Sequence, residues 1–171
     1  GPHNHQIAAL AVALREAGQP AFREYAQAVK ANARALAKAL VARGYTICTG
    51  GTDNHLVLWD LRPLGLTGSK MEKLCEAVHI SLNKNAVHGD KSAAVPGGVR
   101  IGTPAMTTRG LGEADFETVA QQLHETVQLA LQIQSRSGPK LAAFVDEMQE
   151  DPAVSELRER VRAFATDFPM P

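Results

Sequence analysis

The segment GGVRIG, residues 97–102, places a single arginine, Arg100, in a setting suited to binding an anion. If this segment is a strand, Val99 and Ile101 face one side of a sheet and Arg100 faces the other. The flanking glycines leave room for a ligand or another stretch of backbone to approach closely. A guanidinium there matches a carboxylate or phosphate through two parallel hydrogen bonds. Spacing alone nevertheless favours a plainer interpretation, an arginine paired with a surface carboxylate.

A long polar segment precedes this arginine and is the second candidate for chemistry. Asn83, Asn85, Asp90 and Ser92 bring many hydrogen-bond donors and acceptors into residues 83–96. An irregular loop of this length is often functional. Asn and Gly are also common in ordinary turns, so composition alone favours a structural loop.

The six histidines show no metal-ligand spacing. His3 and His5 form an HxH pair, and His55 follows an Asp-Asn pair. A zinc site needs a third and a fourth ligand nearby, and the spacing supplies neither, so we expect no metal site. His88 and His124 are predicted to be solvated, one in the polar loop and one on a helix.

Charge and composition argue against several classes of protein. Lys and Arg together number 18, as do Asp and Glu, and this balance is unlike the basic stripe of a nucleic-acid-binding protein or a polybasic membrane surface. No apolar run has the length of a membrane span, and no signal peptide opens the chain. Cys48 and Cys75 lack CxxC spacing, which favours free buried thiols in a reducing compartment. Phosphate-loop and GxSxG motifs are missing, and the residues alone indicate no nucleophile or general base.

The elements that would position these residues follow from apolar periodicity. Helical spacing predicts helices at 4–17, 20–43, 67–78, 113–134 and 141–148, and a last helix capped by Asp151 with Pro152 at its first position. β-rich runs predict an antiparallel pair at 45–48 and 55–61 and a further short strand at 79–83. The fold class is therefore α+β, with helices covering one face of a small, mostly antiparallel sheet.

Four strings in order carry a resemblance to a known family: GPHNHQIAALAVAL, TDNHLVLWDLR, NKNAVHGDKSA and GGVRIGTPAMTTRG. They resemble the C-terminal half of eukaryotic serine hydroxymethyltransferases, and the last is most similar to the plant and algal branch. The resemblance covers the chain as far as the helix that ends LALQIQ. The chain also begins at Gly1 without a methionine, which favours a segment of a longer protein.

The resemblance implies an enzyme that interconverts serine plus tetrahydrofolate and glycine plus methylene-tetrahydrofolate with pyridoxal phosphate. It also implies the fold of a fold-type I pyridoxal-phosphate enzyme that assembles as a homodimer or a dimer-based tetramer. On this basis residues 1–19 end the large cofactor domain, 20–43 form a long interdomain helix, and 44–171 form the small C-terminal α+β domain. Family members occur in the cytosol, mitochondria and plastids, so the compartment stays open.

Site roles are likewise implied by the resemblance. Arg100 corresponds to the family arginine that binds the substrate carboxylate, and Asn85 to a residue that contacts the pteridine ring of the folate. Ser92, Ala93 and Ala94 occupy the adjoining folate-side loop. Gly1 matches the second glycine of a GGP motif whose backbone contacts the cofactor phosphate of the neighbouring subunit.

The family's Schiff-base lysine lies in a Thr-His-Lys context, which no lysine of this chain has; these are Lys30, Lys38, Lys70, Lys73, Lys84, Lys91 and Lys140. No catalytic residue is therefore expected here, and we predict that this chain alone is inactive. An alternative is a stand-alone, non-enzymatic α+β module whose Arg100 binds a small carboxylate. An exposed apolar face on the first two helices would favour the longer enzyme, and a polar face would favour the module.

Overall fold

The computed structural model describes residues 1–92 and 94–170. It contains seven α-helices and four strands in this described part. The helices are α1 Asn4–Ala17, α2 Pro20–Ala42, α3 Gly68–Ala77, α4 Pro104–Thr108, α5 Glu113–Ser137, α6 Leu141–Glu150 and α7 Pro152–Thr166. The strands are β1 Thr46–Ile47, β2 Leu56–Asp60, β3 Asn83–Asn85 and β4 Gly98–Gly102. The predicted α+β class is confirmed.

The four strands form one antiparallel sheet in the order β1-β2-β4-β3. The long strand pair at its centre is β2 with β4, in which Leu58 lies opposite Arg100 and Trp59 opposite Val99. Because side chains alternate along a strand, Val57, Trp59, Val99 and Ile101 share one face, and each is at most 6 % exposed.

Helices α2 and α3 contact this buried face, α5 packs against both, and α6 and α7 pack behind them. The apolar residues of α2 that the spacing placed on one side, such as Leu36 and Leu40, are fully buried. In α5 the same holds for Phe116, Leu123 and Val127. Burial of such helical stripes against a sheet is the main source of stability in a domain of this kind.

Two helices, α3 and α7, begin at a residue whose side chain caps them. Thr67 accepts a hydrogen bond from the Lys70 amide at the start of α3. Asp151 accepts one from the Ala153 amide at 2.9 Å, with Pro152 at the first position of α7, as predicted.

Arginines on both sides of the contact hold the last helix to the rest of the domain. Arg109, just after α4, donates to the carbonyl oxygens of Ala165 and Phe168, both at 2.6 Å. Arg158 on α7 donates to the Ala77 carbonyl at the end of α3, also at 2.6 Å. With the buried residues Phe144, Met148, Val154, Leu157 and Val161, residues 141–166 complete the core.

The predicted strand at 79–83 is wrong, because the structure places the strand at Asn83–Asn85. His79 has a left-handed backbone (φ 65°), and the Ile80 amide donates to the Cys75 carbonyl, so these residues end α3 instead. The prediction of a solvated His124 is also wrong. Its Nδ1 lies 2.7 Å from the Tyr45 hydroxyl, because Tyr45 reaches from the start of β1 to α5.

Both cysteines are free thiols, as predicted. Cys75 is buried in the core on α3, and burial raises the pKa of its thiol. Cys48 is only partly buried, so the prediction of buried thiols holds for one of the two. Within the described residues, none of the helices is long and apolar enough to span a bilayer.

Candidate site on the open face of the sheet

Arg100 lies at the centre of β4 and points away from the helices. Its neighbours Val99 and Ile101 are 0 % and 6 % exposed, whereas Arg100 is exposed. Leu58 on β2 and Asn83 on β3 are its partners across the sheet. We call the surface that carries Leu58, Asn83, Asn85 and Arg100 the open face.

The guanidinium of Arg100 is free of protein partners in the described part of the chain. None of the ion pairs found there involves Arg100, and no side-chain hydrogen bond does either. The plainer interpretation, a surface arginine paired with a carboxylate, is therefore not what the structure contains. A charged fork with all its donors available can bind a planar carboxylate in bidentate fashion.

Glycines flank Arg100 on β4, but only Gly102 leaves the open face bare, because Val87 packs against Gly98. Gly98 and Gly102 lie two positions before and after it, so no side chain of β4 shares the face with Arg100. Gly98 is also required sterically, because a Cβ there would lie 2.5 Å from the Trp59 carbonyl oxygen and 2.6 Å from Val87 Cγ1. Gly102 is not crowded in this way, since its nearest neighbours would be 3.6 Å away. The segment GGVRIG thus exposes Arg100 and Gly102, while Gly98 lies buried against Val87.

Asn85 shares the open face with Arg100. It pairs with Gly98 on β4 and is therefore a diagonal neighbour of Arg100, within reach of a ligand that spans both. Its Nδ2 donates to the Ala86 carbonyl at 2.7 Å, and no described residue donates to its Oδ1. Asn85 thus keeps an acceptor for a ligand.

Asn83 is a residue that the sequence reasoning noticed but did not assign to the site. The register places it directly opposite Arg100, and its Nδ2 donates to the Lys84 carbonyl at 2.9 Å. The i, i+2 spacing of Asn83 and Asn85 was the signal, because on a strand that spacing puts both amides on one face. The predicted strand ended at residue 83, so Asn83 and Asn85 were not placed together on one strand.

The loop of residues 86–97 connects β3 to β4 at the edge of this site. Ser92 and Ala94 are exposed at its tip, and Ser92 Oγ accepts a hydrogen bond from the Ala94 amide at 3.1 Å. Ala93, also assigned to the folate side from the resemblance, lies outside the described residues. The loop tip therefore offers short side chains and backbone groups to a ligand.

Carboxylates and one arginine close the base of this loop. Arg62 Nη2 lies 2.8 Å from Asp60 Oδ2, and its Nη1 lies 3.4 Å from Asp90 Oδ1. Hydrogen bonds from Arg62 lower the pKa of Asp60 below its ordinary value. Backbone amides of Gly97 and Val87 donate to Asp90 and lower the pKa of that carboxyl as well.

The remaining predicted residues lie apart from this face. Gly1 is exposed ahead of α1, with no atom within 4 Å of where a Cβ would stand. His3 and His5 form an exposed edge-to-face ring pair, and His55 is exposed before β2. Among the described residues no three His, Cys, Asp or Glu side chains are placed to hold a metal ion.

No lysine of the chain is placed to hold pyridoxal phosphate. Lys70 is the buried one, at 1 % exposure, and its Nζ donates to Gln134 Oε1 at 2.7 Å and to the Gly138 carbonyl at 2.9 Å. Desolvation lowers the pKa of Lys70, but the residue lies on α3, behind the sheet and away from Arg100. The other six lysines are exposed. The residues described here do not fit a covalent site for that cofactor.

Comparison with known sequences identifies the family of this chain. A family model for serine hydroxymethyltransferase matches residues 1–123, and the chain belongs to this family. It is 54 % identical over its full length to serine hydroxymethyltransferase 5 of Arabidopsis thaliana and 51 % identical to the cytosolic serine hydroxymethyltransferase of Neurospora crassa. It is 46 % identical to the mitochondrial serine hydroxymethyltransferase of Kluyveromyces lactis. The chain spans 36–37 % of the length of these three relatives.

Proposed function

We propose that this chain forms the C-terminal part of a serine hydroxymethyltransferase, and that its open face binds the amino-acid and folate substrates. The reaction interconverts serine plus tetrahydrofolate and glycine plus methylene-tetrahydrofolate. Residues 1–19 would complete the large cofactor domain, residues 20–43 would form the interdomain helix, and residues 44–171 would form the small domain.

The observation that carries this proposal is the guanidinium of Arg100, which is exposed on the open face and has no partner among the described residues. A serine or glycine carboxylate that accepts two hydrogen bonds from Arg100 has its Cα orientation fixed, and orientation decides which Cα bond can react. Asn85, one diagonal position away, would contact the pteridine ring, and Ser92, Ala93 and Ala94 are assigned to the folate side by the resemblance. One sheet face thus brings the two substrates together.

The surface of α1 supports membership of a larger enzyme over a stand-alone carboxylate-binding module. This helix has no buried residue. Ile7, Leu10, Val12 and Leu14 are 55–65 % exposed, and Phe22 on α2 is 45 % exposed. So many large apolar side chains on adjoining helices are typical of a surface that another domain covers. We propose that the cofactor domain covers it, and that Gly1 lies there beside the cofactor phosphate of a neighbouring subunit in a dimer or tetramer.

The cofactor lysine, in this proposal, comes from outside the 171 residues. The isolated chain is accordingly expected to be inactive. Incubation with pyridoxal phosphate followed by borohydride should label no single lysine, and mass spectrometry of the digested chain checks this. Stoichiometric labelling at one lysine would contradict the assignment.

A chimera tests the function directly. In this chimera the present chain replaces the segment that it matches in the Arabidopsis relative, from which it differs at nearly half of its positions. We expect the chimera to convert serine and tetrahydrofolate to glycine. A chimera that folds and binds pyridoxal phosphate but has no such activity would refute the proposal. The parent relative and the same relative truncated at the junction are the positive and negative controls.

A further inference from the structure

A second arginine, Arg62, lies where β2 ends, and the protein itself occupies its donors. Its Nε lies 3.0 Å from Asp60 Oδ1 and its Nη2 lies 2.8 Å from Asp60 Oδ2, while its Nη1 reaches Asp90 Oδ1 at 3.4 Å. Arg62 has carboxylate partners in Asp60 and Asp90, unlike Arg100, which has no partner among the described residues. Its place therefore indicates a structural task rather than ligand binding.

Asp90 joins the two ends of the loop of residues 86–97. Its Oδ2 accepts hydrogen bonds from the Val87 amide at 2.9 Å and from the Gly97 amide at 2.8 Å. The Asp90 side chain is only 9 % exposed. One carboxylate thus bridges the first and the last turn of the loop and presents its other oxygen to Arg62.

The stem of Arg62 also packs against the end of this loop. A Cβ on Gly97 would lie 2.6 Å from Arg62 Cδ and 2.7 Å from both Arg62 Cγ and Asp90 Oδ1. The Leu61 amide donates to the Gly97 carbonyl at 2.9 Å. Arg62 therefore touches the loop at the residue that precedes β4, the strand of Arg100.

We propose that Arg62, through Asp60 and Asp90, is a positioning residue that holds the loop of residues 86–97 in register with β4 for folate binding. It touches no substrate itself. It fixes the place of Asn85 and of the loop tip relative to Arg100, so its loss should weaken folate binding more than serine binding. This inference rests on the proposed function, because the loop is the folate side only if that function holds.

The first test uses the present chain and needs no activity. Arg62→Met keeps the packed stem and removes the charge. Hydrogen exchange followed by NMR should show the Val87 and Gly97 amides exchanging about tenfold faster, with the Val99 and Ile101 amides of β4 unchanged. An equal acceleration at all four amides would mean that Arg62 only stabilises the fold, and would overturn the proposal.

The second test uses the chimera. Arg62→Met should raise the KM for tetrahydrofolate about five- to tenfold and change the KM for serine less than about twofold. Arg62→Lys restores a charge without the planar fork and should recover part of the folate KM. Equal changes in both KM values, or none, would overturn the positioning role.

Asp90→Asn supplies a second variant with little change in size. It should reproduce the folate effect, and the double variant with Arg62→Met should lose less than the sum of the two single variants, because both change the same hydrogen-bonded network at the base of the loop. Additive effects would contradict this. Arg162→Met is the matched control, since Arg162 and its partner Glu159 are both exposed on α7. If the unsubstituted chimera were inactive, the proposed function would fail, and the exchange measurement would still decide whether Arg62 holds the loop.

Discussion

The two faces of the four-stranded sheet belong to the same strands but differ in burial and in residue type. Toward the helices, Trp59, Val99 and Ile101 are closely packed and at most 6 % exposed. On the open face the alternate positions carry Leu58, Arg100 and the glycines that flank it, with a guanidinium that no described residue neutralises. Residue types on the first face follow from packing, whereas Arg100 on the second face makes no packing contact that explains it and is the residue proposed to bind a ligand. Stability and binding should therefore respond to different substitutions.

Trp59→Ala should have the largest effect on stability. The side chain is fully buried and lies 4.7 Å, ring centroid to centroid, from Tyr45. Its removal leaves a cavity, and the free energy of unfolding should fall by about 3–5 kcal/mol. Urea denaturation of the chain, followed by circular dichroism, measures this. Leu58→Ala, one residue away on the open face, should cost about 1 kcal/mol or less; equal costs would show that the faces do not differ.

Arg100→Ala should instead weaken substrate binding strongly and leave the stability of the chain nearly unchanged. In the chimera it removes a charge-assisted bidentate pair, which corresponds to roughly 2–4 kcal/mol and a loss of about 30- to 1,000-fold in kcat/KM for serine. The stability of the isolated chain should change by no more than about 0.5 kcal/mol. Steady-state kinetics and urea denaturation together check this. Unchanged serine kinetics would exclude the carboxylate role, and Arg34→Ala, in an exposed ion pair, is the control.

The two glycines that flank Arg100 on β4 should differ in their effects on stability and on substrate binding. Gly98→Ala brings a methyl group against the Trp59 carbonyl and should lower the free energy of unfolding by about 1–3 kcal/mol. Gly102→Ala meets only ordinary contacts at 3.6 Å and should leave stability nearly unchanged. In the chimera, however, its methyl group would stand beside Arg100 and raise the KM for serine. A stable Gly98→Ala chain would contradict the close packing described above.

Lowering the pH should destabilise the contacts of Asp60 and Asp90 at the base of the loop of residues 86–97. The pKa values of Asp60 and Asp90 lie below their ordinary values in the folded chain, so both carboxyls favour the folded state when ionised. Their contribution is complete above the ordinary carboxyl pKa of about 4 and is lost as the pH falls through the lower folded values. Urea midpoints measured from about pH 6 down to about pH 3 should fall less steeply for Asp90→Asn than for the unsubstituted chain. Identical slopes would show that Asp90 does not titrate in this way.

The helical part of the fold could be predicted because its signals are local and periodic. The stripe on α5, the Asp151–Pro152 cap and the alternation around Arg100 each determine an element without reference to the rest of the chain. The strand Asn83–Asn85 could not be predicted, because Asn and Lys have low β-propensity and pair there only as an edge strand against β4. Residues 79–83 resemble a strand more closely in sequence, but in the structure they follow α3 and end it.

The candidate site could be predicted in part, for a related reason. Arg100 and Asn85 were singled out from the sequence, and the register brings them onto one face. Arg62 was not noticed, because its partners Asp60 and Asp90 are 2 and 28 positions away and no periodic pattern connects all three. Contacts between loops depend on tertiary geometry, which spacing does not encode.

The contact of Arg109 with α7 has a consequence for the order in which the chain folds. Arg109 follows the strand of Arg100 by only a few residues, yet its two acceptors belong to residues 165 and 168. During synthesis the sheet strands are all complete by residue 102, long before those carbonyl groups exist. Arg109 therefore lacks these two acceptors until the ribosome has released residue 168. Chains stalled before that point should be the ones most exposed to proteases and chaperones.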